Sequence, residues 1–217
     1  MAALHLILAS ASPRRRELLS LLGYPFEVIV SNADEDAYLD APPADYVLHT
    51  ARHKAETVAR TLPADTDVRR LIIAADTTVA LDDAILGKPS TPAEARAMLI
   101  ALRGRTHYVH TAICVVEPGG RELASVHTAA VAMRDYSDAA LDAYIATGDP
   151  FDKAGGYAIQ HPIFRPVEHL TGCYLGVVGL PLCDLIPLLR QLDAPDRFAP
   201  AHLVDAHRGY LHEGEKG

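Results

Sequence analysis

An α/β fold on a mixed sheet is what the sequence predicts, and three observations predict it. Short apolar or β-branched runs recur along the chain and read as strands. Between them stand segments whose apolar residues keep a helical period and carry recognisable starts and stops. Two long β-type runs flank Pro118-Gly119-Gly120 and make a hairpin, so an antiparallel pair joins strands that otherwise alternate with helices.

The elements follow in order. A buried strand is read at 4–8, Leu-His-Leu-Ile-Leu, ended by the small-residue loop 9–13. In the next helix Leu18, Leu19, Leu21 and Leu22 form one apolar side, and Gly23 stops it as a left-handed cap does. Residues 26–30 alternate and are β-branched, giving a second strand, and the acidic, turn-rich stretch 32–43 reads as a loop. From 45 to 62, Tyr46, Val47, Thr50, Ala51, Ala55, Val58 and Ala59 keep a helical period, Pro63 follows, and the helix carries Lys54. Residues 71–75 form an apolar strand that delivers Asp76 at its C-terminal end.

Thr91-Pro92-Ala93-Glu94 starts a helix that runs to 102, with proline in the first turn and an acid near the positive end of the dipole. The hairpin strands are read at 108–117 and 121–134. Ser137 caps a helix through 145, 148–156 is a glycine-bearing loop, 175–178 is a strand and 181–192 is the last helix. Beyond 193 the chain is rich in proline, histidine and charge and reads as a loose tail, so one domain over 1–193 and a tail over 194–217 are expected.

Composition bounds the function. With 217 residues, 49% of them hydrophobic, the chain can bury a sizeable core. A net charge of −8 opposes a surface built to hold a nucleic acid, so any anion site is local. Cys114, Cys173 and Cys183 are too few and too scattered for a disulfide framework. The apolar stretch at 4–9 runs into Arg14, Arg15 and Arg16, which is wrong for a signal peptide, and no segment approaches the roughly 20 apolar residues of a spanning helix. A soluble cytoplasmic protein with no membrane partner is expected.

In open α/β sheets ligands collect beyond the carboxyl ends of strands. Ser10-Ala11-Ser12-Pro13-Arg14-Arg15 is a small-residue turn into a helix N-terminus, and its free N–H groups, hydroxyls and arginines suit a phosphate; the plain alternative is an ordinary cap at Ser12. Asp76, after an apolar strand, either caps a turn or acts on a ligand. Lys54 and Lys88 are weak candidates alone, and Asp34, Glu35 and Asp36 offer oxygens to a hard cation or are simply solvated. In 148–160, glycines permit close backbone approach, Lys153 can bind or pair, and the Gln160 amide can read a base edge. His107 and His110 fall on opposite faces of their strand, so they do not form a paired metal site.

Taken together the segments LASASPRRRELL (8–19), AADTTV (74–79), GKP (87–89), AEARAML, LRGRTHYVHTAI, GDPFDKAGGYAIQ (148–160) and VVGLP (177–181) resemble the Maf family of nucleotide pyrophosphatases, over roughly 4–192 and in the family's order. The resemblance implies an elongated, two-lobed Maf/ITPase-like α/β fold, a central mixed β-sheet flanked by helices, a cleft between the lobes, and a homodimer. It implies hydrolysis of a nucleoside triphosphate to the monophosphate and pyrophosphate with a divalent metal, Mg²⁺ or Mn²⁺. Asp76 matches the family's proton acceptor and also stands as a metal ligand; Ser10, Arg15, Lys54 and Lys88 match positions that hold polyphosphate; Glu35 resembles the acidic metal-side residue. Arg14, Thr77 and Gln160 match the positions that mark the subgroup acting on dTTP and UTP. The chain departs from the pattern at His161-Pro162-Ile163-Phe164-Arg165-Pro166, where a reshaped cleft floor is expected.

Two rival readings remain at this point. A haloacid-dehalogenase-type phosphatase needs an aspartate where Thr78 stands, and a nucleotide-sensing regulator of division would bind without turnover.

Overall fold

Fourteen residues, Val68–Leu81, form the central strand, and strand geometry sends successive side chains to opposite faces. Leu71, Ile73 and Ala75 therefore enter one core cluster while Ile72 and Ala74 enter another. The structure, a computed structural model, describes residues 3–34, 38, 40–63 and 68–195.

The elements are β1 (Ala3–Leu8), α1 (Pro13–Ser20), β2 (Phe26–Val28), α2 (Pro43–Ala59), β3 (Val68–Leu81), β4 (Ala84–Leu86), α3 (Pro92–Leu102), β5 (Thr106–Val116), β6 (Glu122–Met133), α4 (Asp138–Ala146), β7 (Val167–Thr171), α5 (Tyr174–Val178) and α6 (Leu182–Gln191). Two 3₁₀ turns, Asp149–Asp152 and Ala154–Gly156, link α4 towards β7. The sheet order is β2-β1-β3-β5-β6-β7, with β4 also on β3. β1 pairs in parallel with β2 and β3, and β5, β6 and β7 continue antiparallel, so the sheet is mixed as expected.

Three apolar clusters hold the layers. On one face β1, the early part of β3 and the end of β5 pack against α1, α5 and α6. On the other face the same strands pack against α2. The far end of β3, through Val79 and Leu81, joins a third cluster with α3, α4 and the aromatic residues Tyr144, Tyr157 and Phe164. The two ends of β3 thus sit in different cores, and residues 76–78 lie between them. Ser12, Thr91 and Ser137 each accept a backbone N–H in the first turn of α1, α3 and α4, caps worth about 1 kcal/mol apiece.

Four expectations change. β3 does not stop before Asp76 but runs on to Leu81, because β5 pairs with it antiparallel as far as Ala80 opposite Tyr108. Residues 175–178 belong to the short helix α5 and not to a strand. Four residues, Leu-Gly-Val-Val, are too short a run to be assigned by periodicity, and here the backbone closes helical bonds from Val177 N to Cys173 O at 3.2 Å and from Gly179 N to Leu175 O at 3.0 Å. Two strands were not foreseen. β4 returns after a tight turn with positive φ at Asp82 and Asp83, and β7 follows the His161–Pro166 departure onto the edge of β6. That departure forms a turn in which Phe164 stacks on Tyr144 at 4.4 Å, and none of its six residues lines the cleft. No helix among the described residues is long and apolar enough to cross a membrane.

Candidate functional site

β1 pairs with β3 as far as Leu8 opposite Ile73, and β4 pairs with the same edge of β3 only from Val79 onward. Between these points that edge has no strand beside it among the described residues. A cleft of about 560 Å³ opens there, lined by the turn after β1, by β3, by the Gly87-Lys88 turn, by the 152–160 loop and by the end of α5. Five cations and two carboxylates line it in a chain whose net charge is −8, so the positive field is local.

Strand parity places the acid. Asp76 continues the face of Ile72 and Ala74, the face covered by α2. Lys54 sits on the buried stripe of α2 with Val47, Thr50, Ala51 and Val58, and its Nζ reaches Asp76 Oδ1 at 2.7 Å. Both side chains are only 8% exposed, so the ion pair is screened little by water. Thr77 faces the other way, towards α1 and α5.

Arg15 is held from three sides on that second face. Its Nε donates to Gly179 O at 2.9 Å, Nη1 to Ser10 Oγ at 3.3 Å and Nη2 to Thr77 Oγ1 at 3.2 Å. Ser10 Oγ also accepts Ser12 N–H at 3.2 Å, so its two lone pairs are engaged and its proton is what remains for a ligand. Ser12 caps α1 as the plain reading had it, and the same turn lines the cleft. Arg14 lies 3.5 Å from Asp152 across the opening.

Lys88 is exposed at the rim, where Gly155 N–H donates to Gly87 O at 3.0 Å and ties its turn to the facing loop. Gln160 is exposed at the rim as well. Lys153 lines the cleft but is turned into its own loop: Nζ donates to Asp149 O at 2.6 Å, Asp149 Oδ1 at 2.9 Å and Asp152 Oδ1 at 2.5 Å. Those three bonds use its three protons, so it shapes the loop and does not reach across the cleft. Burial pushes the Asp152 carboxyl up, but the Lys153 hydrogen bond and the charges of Lys153 and Arg14 outweigh it and hold it below the usual range.

Ser10, Arg14, Arg15, Lys54, Asp76, Thr77, Lys88, Lys153 and Gln160, singled out in the sequence, all line this one cleft. Glu35 and Asp36 lie outside the described residues, and Asp34 is exposed and does not line the cleft. His107 is buried against Tyr157, with Nε2 2.7 Å from the phenol oxygen, while His110 bonds Thr128 on the opposite face at 2.9 Å. Sequence reasoning missed Thr111, whose Oγ1 is 3.0 Å from Thr77 Oγ1, and Tyr157, which lines the cleft. Both lie in segments that carry the resemblance, but residue type and spacing single out neither; the β3–β5 register and the loop fold bring them in.

His127, Cys183 and Asp184 place ligand-type atoms within 4.8 Å of one another. His127 Nε2 accepts Cys173 N–H at 2.9 Å, so the ring proton sits on Nδ1, 2.9 Å from Asp184. A metal at Nδ1 would need that proton moved to a nitrogen already facing a donor, which argues against a metal centre there.

Fold and site together define an α/β protein with a cationic cleft in a gap of its sheet, chemically suited to a phosphorylated ligand. The chain belongs to the family described as Maf-like protein, whose model matches residues 5–192. It is 48% identical over 191 residues to a protein of Thermomicrobium roseum named dTTP/UTP pyrophosphatase, covering 88% of this chain and 85% of that one. A protein of the same name from Methylobacillus flagellatus is 46% identical over 184 residues, covering 85% of this chain and 90% of its own. Among solved structures it is similar to a nucleoside-triphosphatase / dITP/XTP pyrophosphatase of Mycobacterium abscessus, with TM-score 0.44 and 16% identity over 86% of this chain and 93% of that one.

Proposed function

We propose that the chain hydrolyses dTTP and UTP to the nucleoside monophosphate and pyrophosphate in this cleft. The observation that carries the reading is the convergence of the Ser10–Arg15 turn, the buried Lys54–Asp76 pair and Lys88 on one concavity. The relatives named for that activity match most of the chain, and they supply the substrate class.

In this reading the Ser10 hydroxyl donates to a phosphate oxygen, and Arg14, Arg15 and Lys88 bind the polyphosphate by charge and by directed N–H bonds. Thr77 and Gln160 face the nucleoside. Water attacks the α-phosphorus in line, its proton passes to Asp76, and the bond to the α–β bridging oxygen breaks as pyrophosphate leaves. Lys54 fixes the carboxylate's position from 2.7 Å. The donor set fits a hard divalent cation, since a carboxylate and phosphate oxygens are the ligands Mg²⁺ and Mn²⁺ prefer. Asp76 would hold it, with Glu35 as the further acid implied by the family resemblance. When bound, such an ion neutralises charge on the phosphate oxygens. The reading carries a cytoplasmic homodimer with it, from the resemblance and from three cysteines that form no disulfide.

Product analysis tests it. With Mg²⁺ or Mn²⁺ the wild type releases pyrophosphate from dTTP and UTP, and Asp76→Asn, still folded, loses about 10²–10⁴-fold in kcat. Orthophosphate as the sole inorganic product would move the chain to a phosphatase. Saturable binding with no product would make it a sensor.

A further inference from the structure

Thr111 is 1% exposed and sits opposite Thr77 in the antiparallel β3–β5 ladder. Its Oγ1 lies 2.8 Å from Gly176 O and 3.0 Å from Thr77 Oγ1. A hydroxyl has one proton and two lone pairs, and a carbonyl only accepts. The proton in the Thr111–Gly176 bond therefore comes from Thr111. The proton in the Thr77–Thr111 bond must then come from Thr77.

Thr77 also accepts Arg15 Nη2–H at 3.2 Å. Its proton and one lone pair are thus engaged inside the protein, and one lone pair is left for whatever enters the cleft. Ser10, with both lone pairs engaged, offers the opposite polarity. Of the hydroxyls lining the cleft, these two are preset, Ser10 as a donor and Thr77 as an acceptor.

We propose that Thr111 is a positioning residue that sets base selectivity: by taking the Thr77 proton it makes Thr77 an obligate acceptor, which selects the N3–H of uracil and thymine over the N3 lone pair of cytosine. The inference rests on the hydrolase reading above for its substrates. The hydrogen donors that dTTP and UTP share are N3–H and the ribose 3′-hydroxyl, and phosphate oxygens at neutral pH offer none. Thr111 touches no substrate and acts only through Thr77.

The experiment compares UTP with CTP on the wild type, Thr111→Val and Thr111→Ser, reading kcat/KM for pyrophosphate release and Kd by calorimetry. The wild type should favour UTP by about tenfold or more, the usual cost of facing a buried acceptor with another acceptor. In Thr111→Val the Thr77 hydroxyl is free to turn and donate, so the UTP preference should fall by about tenfold, while Tm drops by several degrees because the buried Gly176 carbonyl loses its donor. Thr111→Ser, which keeps the hydroxyl, should restore the wild-type ratio. An unchanged ratio in a folded Thr111→Val overturns the proposal, and so does a wild type that shows no preference. A tenfold loss with 3′-deoxy-UTP, alongside an unchanged ratio, overturns it by placing Thr77 on the sugar. If Thr111→Val does not fold, Thr111→Ala, which also lacks the hydroxyl, decides by the same ratio. Binding yields the ratio even without turnover, so absent pyrophosphate overturns the hydrolase reading alone.

Discussion

Replacing Lys54 with methionine should destabilise the fold far more than removing a surface charge would. Lys54 Nζ and Asp76 Oδ1 are 2.7 Å apart, and both side chains are 8% exposed. At an effective dielectric of about 20 their Coulomb attraction is roughly 6 kcal/mol before desolvation is counted. Methionine matches the lysine stem in bulk, so the main loss is the cation, and a buried carboxylate deprived of it typically costs about 3–5 kcal/mol. Asp76→Asn should cost a similar amount by stranding the ammonium. The double variant Lys54→Met/Asp76→Asn strands neither charge and should cost at least about 2 kcal/mol less than the two singles together. Urea unfolding at pH 7, with m-values compared, reads all four proteins. Additivity of the single costs within about 0.5 kcal/mol would refute the reasoning, because the pair would then be no more coupled than two distant sites.

Burial holds the His107 ring at about 4, well under the ordinary 6.5. Its stability contribution is therefore complete above pH 6.5 and is lost as pH falls towards 4. About 3 kcal/mol is at stake, roughly 2 of it between pH 7 and pH 5. In His107→Gln that slope in unfolding free energy should vanish, and a wild type as stable at pH 5 as at pH 7 would contradict it. Gly155 has φ +68°, and a Cβ there would lie 3.0 Å from Val79 Cγ1. Gly155→Ala should thus cost about 1–3 kcal/mol and lower Tm, whereas a neutral result would show that the loop relaxes freely. Chelation by EDTA should abolish pyrophosphate release and added Mg²⁺ or Mn²⁺ should restore it; full activity after exhaustive chelation would remove the cation from the reaction.

Much of the architecture was legible because local chemistry and fold agree. Ser12, Thr91 and Ser137 begin helices where the sequence says they should, and the Pro118-Gly119-Gly120 hairpin forms as read. The apolar run at 71–75 is a strand, but where it stops is decided by its partner, and β5 carries it past Asp76. Residues 174–178 show the same limit, since the edge of β6 is taken by β7 and a five-residue apolar segment then closes a helical turn. Lys54 carried a signal that could have been weighted more heavily, because it lies on the apolar stripe of α2, where an unpaired lysine would be costly. Thr111 carried none: a threonine in a β-branched strand is ordinary, and only the register that sets it against Thr77 gives it a role.

The site depends on a single strand presenting two adjacent residues to two different partners. Asp76 turns to Lys54 on α2, and Thr77 turns to Arg15 on α1. Side chains alternate with period two, so a slip of one residue in β3 would exchange the faces, burying Thr77 against the lysine and Asp76 against the arginine. Nine paired positions with β5 and six with β1 hold that register. The same pairing makes the opening itself, since β1 leaves the edge at Ile73 and β4 joins it at Val79. A strand neighbour along the whole edge would fill the gap with backbone hydrogen bonds and leave no room for a ligand. The acid, the hydroxyl and the space between them therefore follow from one feature, a central strand longer than its parallel neighbour.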